Sequence, residues 1–149
     1  MTQEQKDLLL KDLCARLPYG VKGEKYTIRI DGEFVPHIDV EIITAEDIIT
    51  LNGCPGYMIK PYLFPLSSMT EEQKRDLRSS FKCCIIIKQY EIEFPNYEDS
   101  NMDNWIKVFT WCYKNHIDIY GLIPMGLAID ATGLNYDSFY YRICSRLLN

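Results

Sequence analysis

The chain has 149 residues, a net charge of −5, 47% apolar and 25% charged residues, which suits one folded domain with a sizeable core and excludes a disordered tail as the main theme. The acidic balance argues against a nucleic-acid footprint, because a surface that tracks phosphates needs clustered Lys and Arg. No stretch approaches the roughly 20 apolar residues of a membrane span, and the polar start Thr2–Asp7, followed only by the short run Leu8–Leu10, does not read as an export signal, so a cytoplasmic protein with reduced cysteines is expected.

Thr2 and Gln5 form a capping-box pattern ahead of an amphipathic helix whose apolar residues Leu9, Leu10, Leu13, Cys14 and Leu17 recur at helical spacing. Pro18-Tyr19-Gly20 ends it. Strands follow. Tyr26, Ile28 and Ile30 alternate with Lys25, Thr27 and Arg29, which predicts a buried face for the first set; Phe34, Ile38, Val40 and Ile42 then alternate with His37, Asp39 and Glu41. A two-residue Asp31-Gly32 hairpin would set the two apolar faces out of step by one residue, so a three-residue loop or a bulge at Pro36 is expected, and Pro36 marks an edge or bulged strand.

Thr44–Asn52 reads equally as a short helix or a third strand, and Gly53-Cys-Pro-Gly56 is a turn. Ile59–Leu66, with its two prolines, should run extended across the core without joining a ladder centrally. Thr70 and Gln73 form a second capping box, opening a polar helix to about Ser80 with only Leu77 and Phe81 facing inward. Cys84–Phe94 is expected to be the most buried strand, and Pro95–Asp103 an acidic loop. A helix over roughly Asp103–Asn115 carries Ile106, Phe109 and Tyr113 on one stripe with Trp105, Val108 and Cys112 beside it. The turn-rich run Ile117–Asn135 leads to a last amphipathic helix with Phe139, Tyr140, Ile143, Cys144 and Leu147. The fold class is α+β: a single compact domain over 1–149, with a small, mostly antiparallel sheet and about four helices.

Residues able to do chemistry are few. His37 shares a polar strand face with Asp39 and Glu41 and is expected in solvent. Cys112 and His116 are spaced i, i+4 on one helix face, the spacing of two metal ligands, yet no Cys-x-x-Cys or further His completes a four-ligand zinc site. The same pair as a nucleophile and its base would need a thiolate, which a thiol on an apolar helix side does not supply. Glu98, Asp99 and Asp103 do not have the alternating oxygen ligands of an EF-hand. Asp130, ahead of Ala-Thr-Gly, is expected to bond turn amides. No glycine-rich phosphate loop and no Gly-x-Ser-x-Gly elbow is present. The six cysteines sit in contexts that look buried, Cys14, Cys83, Cys84, Cys112 and Cys144 among them, and their even number implies no disulfides.

What remains is aromatic. Eleven tyrosines outnumber the six Phe and two Trp, and Tyr57, Tyr62, Phe64, Tyr120, Tyr136, Tyr140 and Tyr141 lie in or beside Pro/Gly-rich segments. They either close the core or form a patch for a protein partner or for self-association.

Three long blocks, LKDLCARLPYGVK (Leu10–Lys22), IKPYLFPLSSMTEEQ (Ile59–Gln73) and IDIYGLIPMGLAIDATGLN (Ile117–Asn135), resemble a widespread family of small uncharacterised proteins of gut bacteria and their phages and mobile elements. The blocks occur in the family's order. The resemblance implies no activity and no cofactor, and no site residue is carried over from it. From the residues themselves the expectation is a non-catalytic, cytoplasmic interaction or regulatory module with a surface at Tyr62, Phe64, Tyr120 and Tyr140. The alternatives are a small metal-dependent enzyme or metal-binding protein using Cys112 and His116, and a weak nucleic-acid binder working through the 70–81 helix.

Overall fold

A computed structural model describes residues 1–29, 31–36 and 40–134. The expected helix at 139–147, with Tyr140, lies outside the described residues, as do Ile30, His37 and Asp39. Among those described, four α-helices stand against a mixed, mostly antiparallel sheet, and the class is α+β.

Helix α1 (Gln3–Arg16) starts in the expected capping box: the Thr2 side chain accepts from the Gln5 amide at 3.2 Å and the Gln5 side chain accepts from the Thr2 amide at 2.9 Å. The 3-10 turn Leu17–Tyr19 ends on Gly20, whose left-handed φ of 65° turns the chain into strand β1 (Lys22–Ile28). Strand β2 (Phe34–Pro36) pairs antiparallel with β1, Ile28 opposite Phe34 and Tyr26 opposite Pro36. Arg29 donates its amide to the Glu33 carbonyl at 2.8 Å, which is the register of a three-residue connection. As expected for a strand holding Pro36, β2 is an edge strand.

The expected burial of that hairpin is wrong. Ile28 is 48% exposed, Phe34 and Ile42 are also exposed, and the buried part of β1 is its other end, at Gly23, Glu24 and Lys25. Alternation also exchanged the faces: Lys25, on the side it placed outward, is buried, because it stands opposite Ile59 on the face that the helix following β3 covers. Strand β3 (Glu41–Ile42) pairs with β1 near Lys22 and Gly23. Helix α2 (Ala45–Gly53) resolves the ambiguous segment: Thr44 and Asp47 make a capping box, with Asp47 as its acidic third residue.

Strand β4 (Tyr57–Pro65) corrects a second expectation, since it lies centrally in the sheet. It pairs antiparallel with β1 from Tyr57 to Pro61, then in parallel with β8 (Ile129–Asp130) at Tyr62 and Leu63 and with β7 (Ile117–Asp118) at Phe64 and Pro65. The prolines are tolerated because Pro61 occupies the last pair of the ladder with β1 and Pro65 closes the strand. Pro61 also faces Gly23, where a Cβ would come within 2.8 Å of the Lys60 carbonyl and 3.1 Å of the Pro61 Cα; only glycine admits that approach.

The sheet separates two environments. On one side α1 and α2 deliver Leu9, Leu13, Ile48 and Leu51 onto Ile59 and Leu63 of β4, with Val21, Ile43 and Leu122 filling between them. On the other, Tyr62 packs with Ala131, Ile129, Val40 and Leu134. A further cluster forms beyond the end of β4, where α3 (Glu71–Ser79) contributes Leu77 and α4 (Met102–Lys114) contributes Val108 and Cys112 against Leu66, Ile85, Ile92, Phe94 and Ile117. Helix α3 has the expected Thr70–Gln73 box, and of the two residues expected to face inward Leu77 is buried and Phe81, just past the helix, is half-buried against the same cluster.

Cys84–Phe94 is not one buried strand. It is a small hairpin of β5 (Ile86–Ile87) and β6 (Ile92–Glu93), with a turn closed by the Lys88 amide on the Glu91 carbonyl at 2.8 Å and with Tyr90 exposed. The turn residues Gln89 and Tyr90 carry none of the usual Gly, Pro, Asn or Asp markers, so the period of the strand concealed it. The cysteines differ from expectation too: among the described residues Cys112 is buried, Cys83 is half-buried, and Cys14, Cys54 and Cys84 are exposed.

Candidate functional site

Of the expected surface at Tyr62, Phe64, Tyr120 and Tyr140, Tyr62 does not reach solvent. Tyr62 is buried, and its hydroxyl donates to Glu24 Oε1 at 2.5 Å while Tyr26 donates to the other carboxylate oxygen. Alternation along β4 places this ring on the sheet face that Ala131 and Leu134 cover, so it closes the core. Phe64 is half-buried and borders a shallow depression of about 200 Å³ with Ser68, Thr70, Gln73, Thr132 and Gly133. The polar groups there are engaged, Thr70 and Gln73 in the helix cap and Ser68 with its hydroxyl on the Pro65 carbonyl at 2.8 Å, and the volume falls below the ~300 Å³ from which ligand sites usually start. Tyr140 lies outside the described residues.

Tyr120 keeps its place, in different company. It is half-buried, its ring stacks on Phe109 with centroids 6.1 Å apart, and its hydroxyl shares a 2.8 Å hydrogen bond with that of Tyr113. Lys11 Nζ stands 5.3 Å from the ring centroid. From there a chain of rings runs along α4: Tyr113 to Phe109 at 6.2 Å, Phe109 to Trp105 at 5.8 Å, Trp105 to Phe94 at 5.2 Å and Phe94 to Phe81 at 5.6 Å. Beside this row Met102 is 75% exposed and Ile106, one helical turn on, 53% exposed. Of the stripe Ile106, Phe109 and Tyr113 and the residues expected beside it, Val108 and Cys112 are the buried ones. A signal was present in the sequence: apolar residues occupy most of the circumference of α4, more than a helix packed on one side can bury, so a face is left over.

Cys112 and His116 do not share a helix face. Helix α4 ends at Lys114, Asn115 caps it, and His116 has a left-handed φ of 56°, which breaks the i, i+4 alignment. Burial pushes the Cys112 thiol up to about 12 and keeps it protonated. Burial, aided by the nearby Arg16 and Lys22 charges, lowers His116 to about 4 and keeps it neutral. Among the described residues no three His, Cys, Asp or Glu side chains converge on a site able to hold a metal ion. Asp130 accepts from the Thr132 amide at 2.8 Å, the expected turn role.

Several charged groups are buried. Asp12 and Arg16 form a fully buried ion pair at 2.7 Å, and Arg16 also donates to the Ile117 carbonyl at 2.7 Å, fastening α1 to the junction of α4 and β7. Desolvation raises the Asp12 pKa despite Arg16. Asp118 is buried with its carboxylate on the Leu122 and Ile123 amides, at 2.9 and 2.8 Å. Lys25, expected on the outer face, reaches Glu41 at 2.7 Å and Asp47 at 3.0 Å; burial opposes its charge, but these bonds outweigh burial and raise its pKa. On α3, Lys74 pairs with Glu71 at 2.7 Å and Asp76 accepts from Trp111 Nε1 at 2.7 Å, so acids are interleaved with that helix's basic residues. No helix among the described residues is long and apolar enough to cross a membrane. Comparison with family models, with curated proteins and with solved structures finds no match to this chain.

Proposed function

We propose that this chain is a non-catalytic module that works by contact with another protein chain, and that the outer face of α4 makes the contact. The observation that carries the proposal is the pair Met102 and Ile106, standing in solvent beside the row Trp105–Phe109–Tyr113. Large apolar side chains next to half-buried rings are what the centres of protein contacts are made of, and leaving them in water costs about 25 cal/mol per Å² of apolar surface. The groups best equipped for chemistry are spent on structure: Tyr62 on Glu24, Asp118 on two amides, Cys112 within a core cluster. We place the module in a reducing compartment, the cytoplasm, which suits exposed thiols at Cys14, Cys54 and Cys84.

The test is capture of bound chains, a second copy included, by the tagged full-length protein and by a Met102→Asp/Ile106→Asp variant. The variant should keep the wild-type melting temperature, since both side chains are exposed, and lose what the wild type holds. Equal capture by both would overturn the proposal.

A further inference from the structure

We infer that the chain occupying the α4 face is a second copy of this protein, paired antiparallel across a two-fold axis. This rests on the contact role proposed above and names its partner. A two-fold contact must be self-complementary, each patch meeting its own image. The α4 stripe satisfies that condition. In an antiparallel pairing centred between Lys107 and Val108, Met102 meets Tyr113 of the second copy and Ile106 meets its Phe109, flexible aliphatic against ring in both cases.

Charge fixes the direction. The N-terminal end of the face is acidic, with Glu98 and Asp99 in the turn before α4 and Asp103 in its first turn, whereas the C-terminal end is basic, with Lys114 and the Lys11 ammonium over Tyr120; Lys107 lies beside the axis. Asp103, Lys107 and Lys114 make no ion pair among the described residues. Antiparallel pairing brings each acidic end to a basic end, Asp103 to Lys114, and sets the helix dipoles in opposition; parallel pairing sets like against like. A single 13-residue helix offers less than the roughly 800 Å² per partner of a standard interface, so the dimer is weak and concentration-dependent.

Sedimentation of the full chain over about 10 μM to 1 mM should show the mass rising from 17.5 kDa toward twice that value. Ile106→Asp should hold it at monomer. Asp103→Lys alone and Lys114→Glu alone should each weaken association by about fivefold or more, and the two together should restore it, because the pairs re-form with their signs exchanged. Circular-dichroism melting of every variant controls for folding. A wild-type monomer throughout the range, a dimer indifferent to Ile106→Asp, or a double exchange that fails to restore association would each overturn the inference. If the wild type stays monomeric while capture of a different chain still depends on Met102 and Ile106, the dimer falls and the contact role stands; if neither depends on them, both fall.

Discussion

Arg16 is the side chain whose loss would be felt furthest. Its guanidinium neutralises Asp12 and caps the Ile117 carbonyl in a site without solvent, and its Cζ lies 5.1 Å from the Tyr113 ring centroid. Removing one partner of a buried pair leaves the other charge uncompensated, so Arg16→Met should cost about 3–5 kcal/mol in urea unfolding, and Asp12→Leu in the same chain should recover a large part of that. His116 supplies a pH dependence. Its folded pKa of about 4 lies below the ordinary 6.5, so the unfolded chain takes up the proton first; stability is complete above about pH 6.5 and declines as pH falls toward 4. Partial exposure of the side chain tempers the effect to about 1 kcal/mol between pH 7.5 and 5. His116→Asn, which tolerates the left-handed backbone, should remove that share of the decline when urea midpoints are compared at the two pH values. None of these roles was legible in the sequence. Arg16 and Asp12 sit at helix positions where charge normally faces water, and the histidine's helical alignment with Cys112 depended on a helix that stops two residues earlier.

At the scale of elements the sequence was more informative, and where it succeeded the signal was local. The Thr2 and Thr70 boxes, the stop at Gly20 and the three-residue hairpin connection all depend on residues within a few positions of one another. Helix α2 was one of the two readings left open for Thr44–Asn52, and its capping box has Asp47 where Glu or Gln is more usual. Its Thr44 hydroxyl and Asp47 carboxylate serve the orphan amides, and Asp47 also pairs with Lys25 and accepts from Tyr57. Thr44→Ala should therefore destabilise by about 1 kcal/mol, read as a shift in urea midpoint at unchanged slope. Elements fixed by distant partners were misjudged. Strand β4 became central because β1, β7 and β8 come to it from elsewhere in the chain, and nothing in Ile59–Leu66 records their arrival.

Across the whole molecule, exposure separates groups that composition treats alike. Cys14, Cys54 and Cys84 should react with a thiol reagent in the native protein, while Cys112 should react only on unfolding. Cys112→Ala should accordingly leave native labelling unchanged and lower denatured labelling by one equivalent. The same separation governs the aromatic residues. Tyr62 and Tyr120 both lie beside prolines and glycines, yet one is sealed under the sheet and the other joins a row of rings reaching the surface.

The sequence by itself determined the α+β class, the Thr2 and Thr70 caps and the stop at Gly20, because each follows from composition or from neighbours in the chain. Only the tertiary structure decided which charges are buried, where the hairpin emerges from cover, and which side of α4 is left in solvent. Burial is a property of what packs above a residue, and for Asp12, Arg16, Ile28 and Met102 that covering, or its lack, is set by segments tens of residues away.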